Sequence, residues 1–124
     1  HTSELGNLSV MENRHSIPFD IQRAYYLYDI PGGQSRGAHA HKKLQQFIVS
    51  VGGSFDITLD DGLNRRTFTL SRPYYGLLIP PGIWRDLVNF SAGATCLVLA
   101  SEHYDTEDYI RNYDDYVNFK NSLI

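Results

Sequence analysis

Short apolar runs recur along residues 8–100, each bounded by turn-forming side chains. The clearest is Ser54–Asp60, where Phe55, Ile57 and Leu59 alternate with polar residues. Successive side chains of a strand point to opposite faces, so this alternation predicts a half-buried β-strand. Leu8–Glu12, Ile21–Ile30, Gln45–Val51, Arg65–Leu70, Tyr75–Ile79, Trp84–Phe90 and Thr95–Ala100 supply seven more candidates. Gly52-Gly53 and Asp61-Gly62 are hairpin dipeptides, because glycine takes positive φ without a steric penalty. Pro80-Pro81-Gly82 is a further break. Eight short strands joined mostly by short loops predict an all-β fold, an antiparallel barrel or double-sheet jelly roll. Strands do not alternate with helices, which excludes a Rossmann-type domain.

After residue 101 the period changes. Tyr109, Tyr113, Tyr116 and Val117 fall at helical spacing. Thr106 suits the cap, and Glu107 and Asp108 suit the positive end of a helix dipole. A C-terminal helix is therefore expected over about 105–121, packing a tyrosine stripe on the outside of a sheet. The stripe's hydroxyls are expected at the surface, and Asp114 and Asp115 on a solvated face. No repeat or linker interrupts the chain, so one domain is expected over 1–124, with its barrel over about 8–101.

Composition narrows the function. The 124 residues carry 11 basic and 14 acidic side chains, a net charge of −3, and include no Lys/Arg run. Nucleic acid and anionic membrane surfaces are poor partners for such a chain. No apolar run is long enough for a membrane span. No charged-then-apolar leader is visible, and the chain opens at His1 without a Met. A single cysteine, Cys96, lies in the apolar stretch TCLVLA, which suggests a buried thiol and a reducing cytoplasm.

The candidate chemistry begins at Gly33 and runs through Arg36-Gly-Ala-His39-Ala-His41 to Gly52. Two histidines one residue apart on an extended segment aim both imidazoles to one side. The spacing resembles the first cupin motif, with Gln45 in the place of its acid. Pro80-Pro81-Gly82-Ile-Trp-Arg85, closing at Asn89, resembles the second, with Arg85 in the place of its ligand histidine. A neutral amide is a weak ligand, and a guanidinium has no lone pair to donate and repels a dication. No metal and no other cofactor is therefore expected. Arginine instead suits an anion, either phosphate or an enolate oxygen. Imidazoles beside arginines point to proton transfer. Arg23, in IQRAYYLYD, and Arg36 suit phosphate binding.

The chain resembles the sugar-nucleotide 3,4-ketoisomerases, the cupin group that also contains WxcM-like domains. The resemblance rests on Arg23-Ala-Tyr-Tyr-Leu-Tyr-Asp29, Arg36-Gly-Ala-His-Ala-His-Lys42, Gly76-Leu-Leu-Ile-Pro-Pro-Gly-Ile-Trp84 and Leu99 to Arg111, which contains YDTEDYIR. It implies a homodimeric cupin acting on a dTDP-linked 4-keto-6-deoxy sugar, moving the carbonyl from C4 to C3 through an enediol-type intermediate. An amino sugar for a surface glycan would follow. On this resemblance His41 is the carbon acid and base, and His39 shuttles or orients a hydroxyl proton. Tyr25 or Tyr26 holds sugar oxygens, and alternation favours Tyr25 because it shares the face of Arg23. Arg23 and Arg36 hold the pyrophosphate, Arg85 lies beside the sugar, and Gln45 completes the substrate contacts. Arg85 inclines the expectation toward a gluco-configured product, whereas Leu5 stands where the family carries a polar residue. The competing readings are a metal-dependent cupin enzyme, a non-catalytic sugar-nucleotide-binding cupin and a 3,5-epimerase.

Overall fold

The computed structural model describes residues 2–3 and 6–123, so His1 and Leu5 lie outside the described residues. In chain order the elements are β1 (Thr2–Ser3), β2 (Gly6–Asn7), β3 (Arg23–Leu27), β4 (Arg36–His41) and β5 (Gln46–Gly52). They continue with β6 (Phe55–Asp60), β7 (Arg65–Leu70), β8 (Gly76–Ile79), β9 (Trp84–Val88) and β10 (Thr95–Ala100). A 3₁₀ turn (Thr106–Asp108), β11 (Tyr109–Ile110) and α1 (Tyr113–Ser122) close the chain. The strands pair antiparallel in two main sheets, ordered β3-β10-β5-β8 and β11-β4-β9-β6-β7, with β1 and β2 as a separate pair. The expected all-β double-sheet architecture is what forms.

Alternation decides which side chains face between the sheets. Ile48, Phe55, Ile57, Leu70, Ile79, Leu87, Cys96 and Val98 are all buried there in one cluster. Each such side chain stabilises the fold by about 1.5–3 kcal/mol relative to leaving it in water. Burial also pushes the Cys96 thiol up to about 12, which leaves it an inert core residue. The outer face of the β3-β10-β5-β8 sheet is apolar as well. Ile17 and Phe19 pack there against Leu99, with Met11, Ile21, Phe47 and Leu97 around them.

Several expectations are corrected. Gly52-Gly53, expected as a hairpin, instead joins β5 to β6 in the other sheet. Leu8–Glu12 forms no strand; it leads into a segment that crosses the outer sheet face and is closed by an Asn13–Ile17 bridge and an Arg14–Asp20 ion pair. The C-terminal helix starts at Tyr113, capped by Asn112, whose side chain accepts the Asp115 N–H. Residues 106–110 instead form the 3₁₀ turn and β11, because β4 offers β11 an open edge that a helix cannot pair with. Tyr109 therefore leaves the helical stripe. Tyr116 is fully buried rather than surface-facing, and its hydroxyl donates to the Gly82 carbonyl (2.7 Å) and the Asp60 carbonyl (3.0 Å). It packs with Ala40, Trp84 and Ile110, fastening α1 to the outside of β4 and β9.

Candidate active site

Ala40 is wholly buried in that outer cluster, so alternation turns its neighbours His39 and His41 inward between the sheets. The two rings meet edge to face with centroids 4.7 Å apart, and their Nε2 atoms are 3.0 Å apart. His41 is fully buried, whereas His39 keeps partial exposure. The turn at Gly82, with φ +79°, sends its N–H onto the His41 carbonyl at 2.7 Å and fixes the backbone there.

Behind His41 stands Asp108, whose Oδ2 lies 3.2 Å from His41 Nδ1. The carboxylate also accepts the Lys43 N–H at 2.8 Å and the Leu44 N–H at 3.2 Å. Asp105 caps the 3₁₀ turn that carries Asp108, accepting the Glu107 N–H at 3.0 Å. β11 then pairs Tyr109 with His41, laying the Tyr109 ring 4.3 Å from the His41 ring and 5.0 Å from the His39 ring. The Arg111 guanidinium stacks on Tyr109 at 4.2 Å. Sequence reasoning missed Asp108, Tyr109 and Arg111 as site residues. The two aspartates of YDTEDYIR were the available signal, since Asp105 builds the turn and Asp108 occupies it.

Arg85 on β9 is the cross-strand partner of His39 and is only 1% exposed. Its Nε and Nη2 donate to the Ile83 carbonyl at 3.3 and 3.0 Å, and its Nη1 donates to Gln46 Oε1. No carboxylate pairs with it among the described residues. Gln46 Nε2 donates to the Tyr25 hydroxyl at 3.0 Å. Arg23 stacks on Tyr25 at 5.1 Å and on Tyr104 at 5.5 Å. Its Nε and Nη2 are buried with no hydrogen-bond partner among the described residues.

The electrostatics follow from burial. Desolvation first, and the Arg85 charge second, hold His39 down at about 2 and His41 at about 3. Both imidazoles are thus neutral near pH 7, the form in which a histidine can accept a proton. Burial lowers Arg85 only to about 10, so it stays a cation.

Of the residues expected at the site, His39, His41, Tyr25, Arg23 and Arg85 come together. Gln45 and Tyr26 do not. Gln45 lies just before β5, with its backbone bonded to Ser101, and the amide inside the barrel belongs to Gln46. One step along a strand changes the face, and the spacing count stopped one residue short. Tyr26 is 62% exposed on the outer face, opposite Tyr25. Arg36 is exposed at the start of β4, outside this contact network. A bulge nonetheless puts it on the His39 side: Arg36 pairs with Leu87 and His39 with Arg85, three residues against two. Gly37, with φ +73°, accommodates the extra residue. No group of three His, Cys, Asp or Glu side chains suited to a metal ion occurs among the described residues.

Residues 1–121 match the family described as FdtA: WxcM-like, C-terminal. The chain belongs to this family. It is 43% identical over 114 residues to the TDP-4-oxo-6-deoxy-alpha-D-glucose-3,4-oxoisomerase of Aneurinibacillus thermoaerophilus, covering 92% of this chain and 82% of that protein. Among solved structures it is similar to QdtA, a sugar 3,4-ketoisomerase from Thermoanaerobacterium thermosaccharolyticum in complex with TDP. That match has 40% identity and a TM-score of 0.95, over 98% of this chain and 89% of the other. The WlaRB TDP-quinovose 3,4-ketoisomerase of Campylobacter jejuni matches at 46% identity and a TM-score of 0.90, over 95% of this chain and 91% of the other. The FdtA-type relatives are thus sugar-nucleotide 3,4-ketoisomerases that match nearly the whole chain.

Proposed function

We propose that this protein moves the carbonyl of a TDP-linked 4-keto-6-deoxyhexose from C4 to C3. Relatives of 40–46% identity carry names of that activity. The observation that carries the reading in this chain is a neutral histidine pair beside a buried arginine that has no carboxylate partner among the described residues. A base removes the proton at C3, the enediol-type intermediate carries negative charge on oxygen, the C3 hydroxyl proton passes to the C4 oxygen, and a proton returns at C4. Arg85 supplies fixed N–H donors and positive charge where that oxygen develops. Burial supports a division of labour opposite to the one expected from sequence: His39, partly exposed, meets the carbon, and His41 backs it from within. Tyr25 hydrogen-bonds a sugar oxygen. Arg23, with two unpartnered donors, and Arg36 hold the pyrophosphate. No metal takes part in this reading.

Partner and location belong to the same proposal. The outer sheet face leaves Tyr26, Val51, Leu78 and Tyr74 exposed beside a groove of about 500 Å³ lined in part by Val10, Met11 and Phe47. Such a face suits a second copy of this chain. A reduced, buried Cys96 fits a cytoplasmic enzyme. The product is proposed to be gluco-configured and to feed synthesis of a 3-amino-3,6-dideoxy sugar for a surface glycan.

The test is incubation with TDP-4-keto-6-deoxyglucose in D₂O. NMR should show a 3-keto product with deuterium at C4, and the coupling to that position in a parallel H₂O run gives the configuration. A substrate that binds and is recovered unchanged overturns the reading. Light scattering should return twice the 14.1 kDa chain mass.

A further inference from the structure

We propose that Asp108 sets the tautomers of both histidines, so that the lone pair offered to the substrate is on His39 Nδ1. The inference rests on the proton-transfer reading above and adds an atom and a positioning residue to it.

A neutral imidazole has one N–H and one bare nitrogen. Asp108 receives the Lys43 and Leu44 N–H groups and faces His41 Nδ1 with an acceptor oxygen. The hydrogen between Oδ2 and Nδ1 is therefore the one carried by His41. His41 Nε2 is then bare and must accept. The atom 3.0 Å away, His39 Nε2, must donate. That leaves His39 Nδ1 bare, with no hydrogen bond to it among the described residues. Each assignment forces the next.

Gly37 keeps that edge of the ring open. A Cβ at residue 37 would lie 3.5 Å from His39 Cε1, 3.8 Å from Nδ1 and 3.3 Å from Leu87, at a φ of +73° that side chains rarely adopt. Glycine leaves this space for a substrate atom.

The proton count closes. Nδ1 takes the proton from the substrate carbon, and its electron pair forms the new N–H bond. The C–H electrons pass into the enediol. The charged His39 ring keeps donating to His41, and His41 keeps donating to Asp108, so the row of hydrogen bonds opposes the new charge without reorienting. The C3 hydroxyl proton passes across the enediolate to the C4 oxygen. Nδ1, on the partly exposed ring, exchanges its proton with solvent and returns one to C4, and His39 is neutral again with the carbonyl at C3. Asp108 touches no substrate and acts by position.

Two readouts test this. In ¹⁵N-labelled wild-type protein at pH 7, imidazole spectra should place the proton of His41 on Nδ1 and that of His39 on Nε2. In Asp108→Ala no acceptor faces His41 Nδ1. The His41 proton can then move to Nε2 and donate to His39 Nε2, and the spectrum should show a proton on His39 Nδ1. Turnover should fall about 10²–10⁴-fold with KM changed less than about threefold. A wild-type spectrum with the proton on His39 Nδ1 overturns the proposal, and needs no variant to fold. A folded Asp108→Ala enzyme with wild-type kcat also overturns it. Wild-type protein without any turnover sinks the isomerase reading, and the tautomer order is still decided by its spectrum.

Discussion

The two ends of the space between the sheets are built by the same strands and do opposite things. On β3 the inward residues run Arg23, Tyr25, Leu27; on β5 they run Gln46, Ile48; on β9 they run Arg85, Leu87. Two residues along each strand, cations and hydrogen bonds give way to close-packed aliphatics. The apolar end gains free energy with every side chain it hides. The polar end gives some back, since a buried guanidinium without a carboxylate partner among the described residues costs several kcal/mol. A short sheet can therefore hold a destabilised reactive site because its other half is an ordinary core.

Changes at either end should separate the two. His39→Asn should lower turnover about 10²–10⁴-fold while leaving the melting temperature nearly unchanged, checked by product NMR and calorimetry. Ile57→Ala should do the reverse: about 2–5 kcal/mol less stable by urea unfolding, with normal kcat per folded molecule. Arg85→Met should remove most activity yet leave stability equal or raised by about 1–4 kcal/mol. A loss of stability there would show that Arg85 supports the fold through Gln46 and Ile83. Acid acts on the fold through the same two histidines. The folded histidines stay neutral down to about 2 and 3, whereas unfolded ones take protons near 6.5. The unfolded chain binds more protons below that point, so stability should decline as pH falls from about 6.5 toward 3 and be flat in this respect above it. Over the same range kcat of folded enzyme should show no histidine step down to about pH 5.

Local rules made much of this legible. Alternation in Phe55–Asp60, the Asp61-Gly62 hairpin turn and the His-x-His face are properties of a few adjacent residues, and all three are as expected. What stayed hidden depends on distant contacts or on register. Asp108 reaches His41 across 67 positions of chain, which no periodicity encodes. Gln46 rather than Gln45 faces inward because β10 fixes the register of β5. Leu8–Glu12 reads as a strand by its apolar residues alone, but the segment it leads into covers a sheet face rather than pairing within one.

The bulge at Gly37 sets a gauge. Without the extra residue, strict alternation would swing Arg36 to the outer surface while His39 stayed within. With it, Arg36, proposed to hold the pyrophosphate, and His39, proposed as the base, sit on one wall, separated by a covalently fixed span. Deleting Ala38 would change no functional group, yet it would unhitch holding a sugar nucleotide from transforming it. Strand length, as much as side-chain chemistry, decides which molecule fits from anchor to reacting carbon.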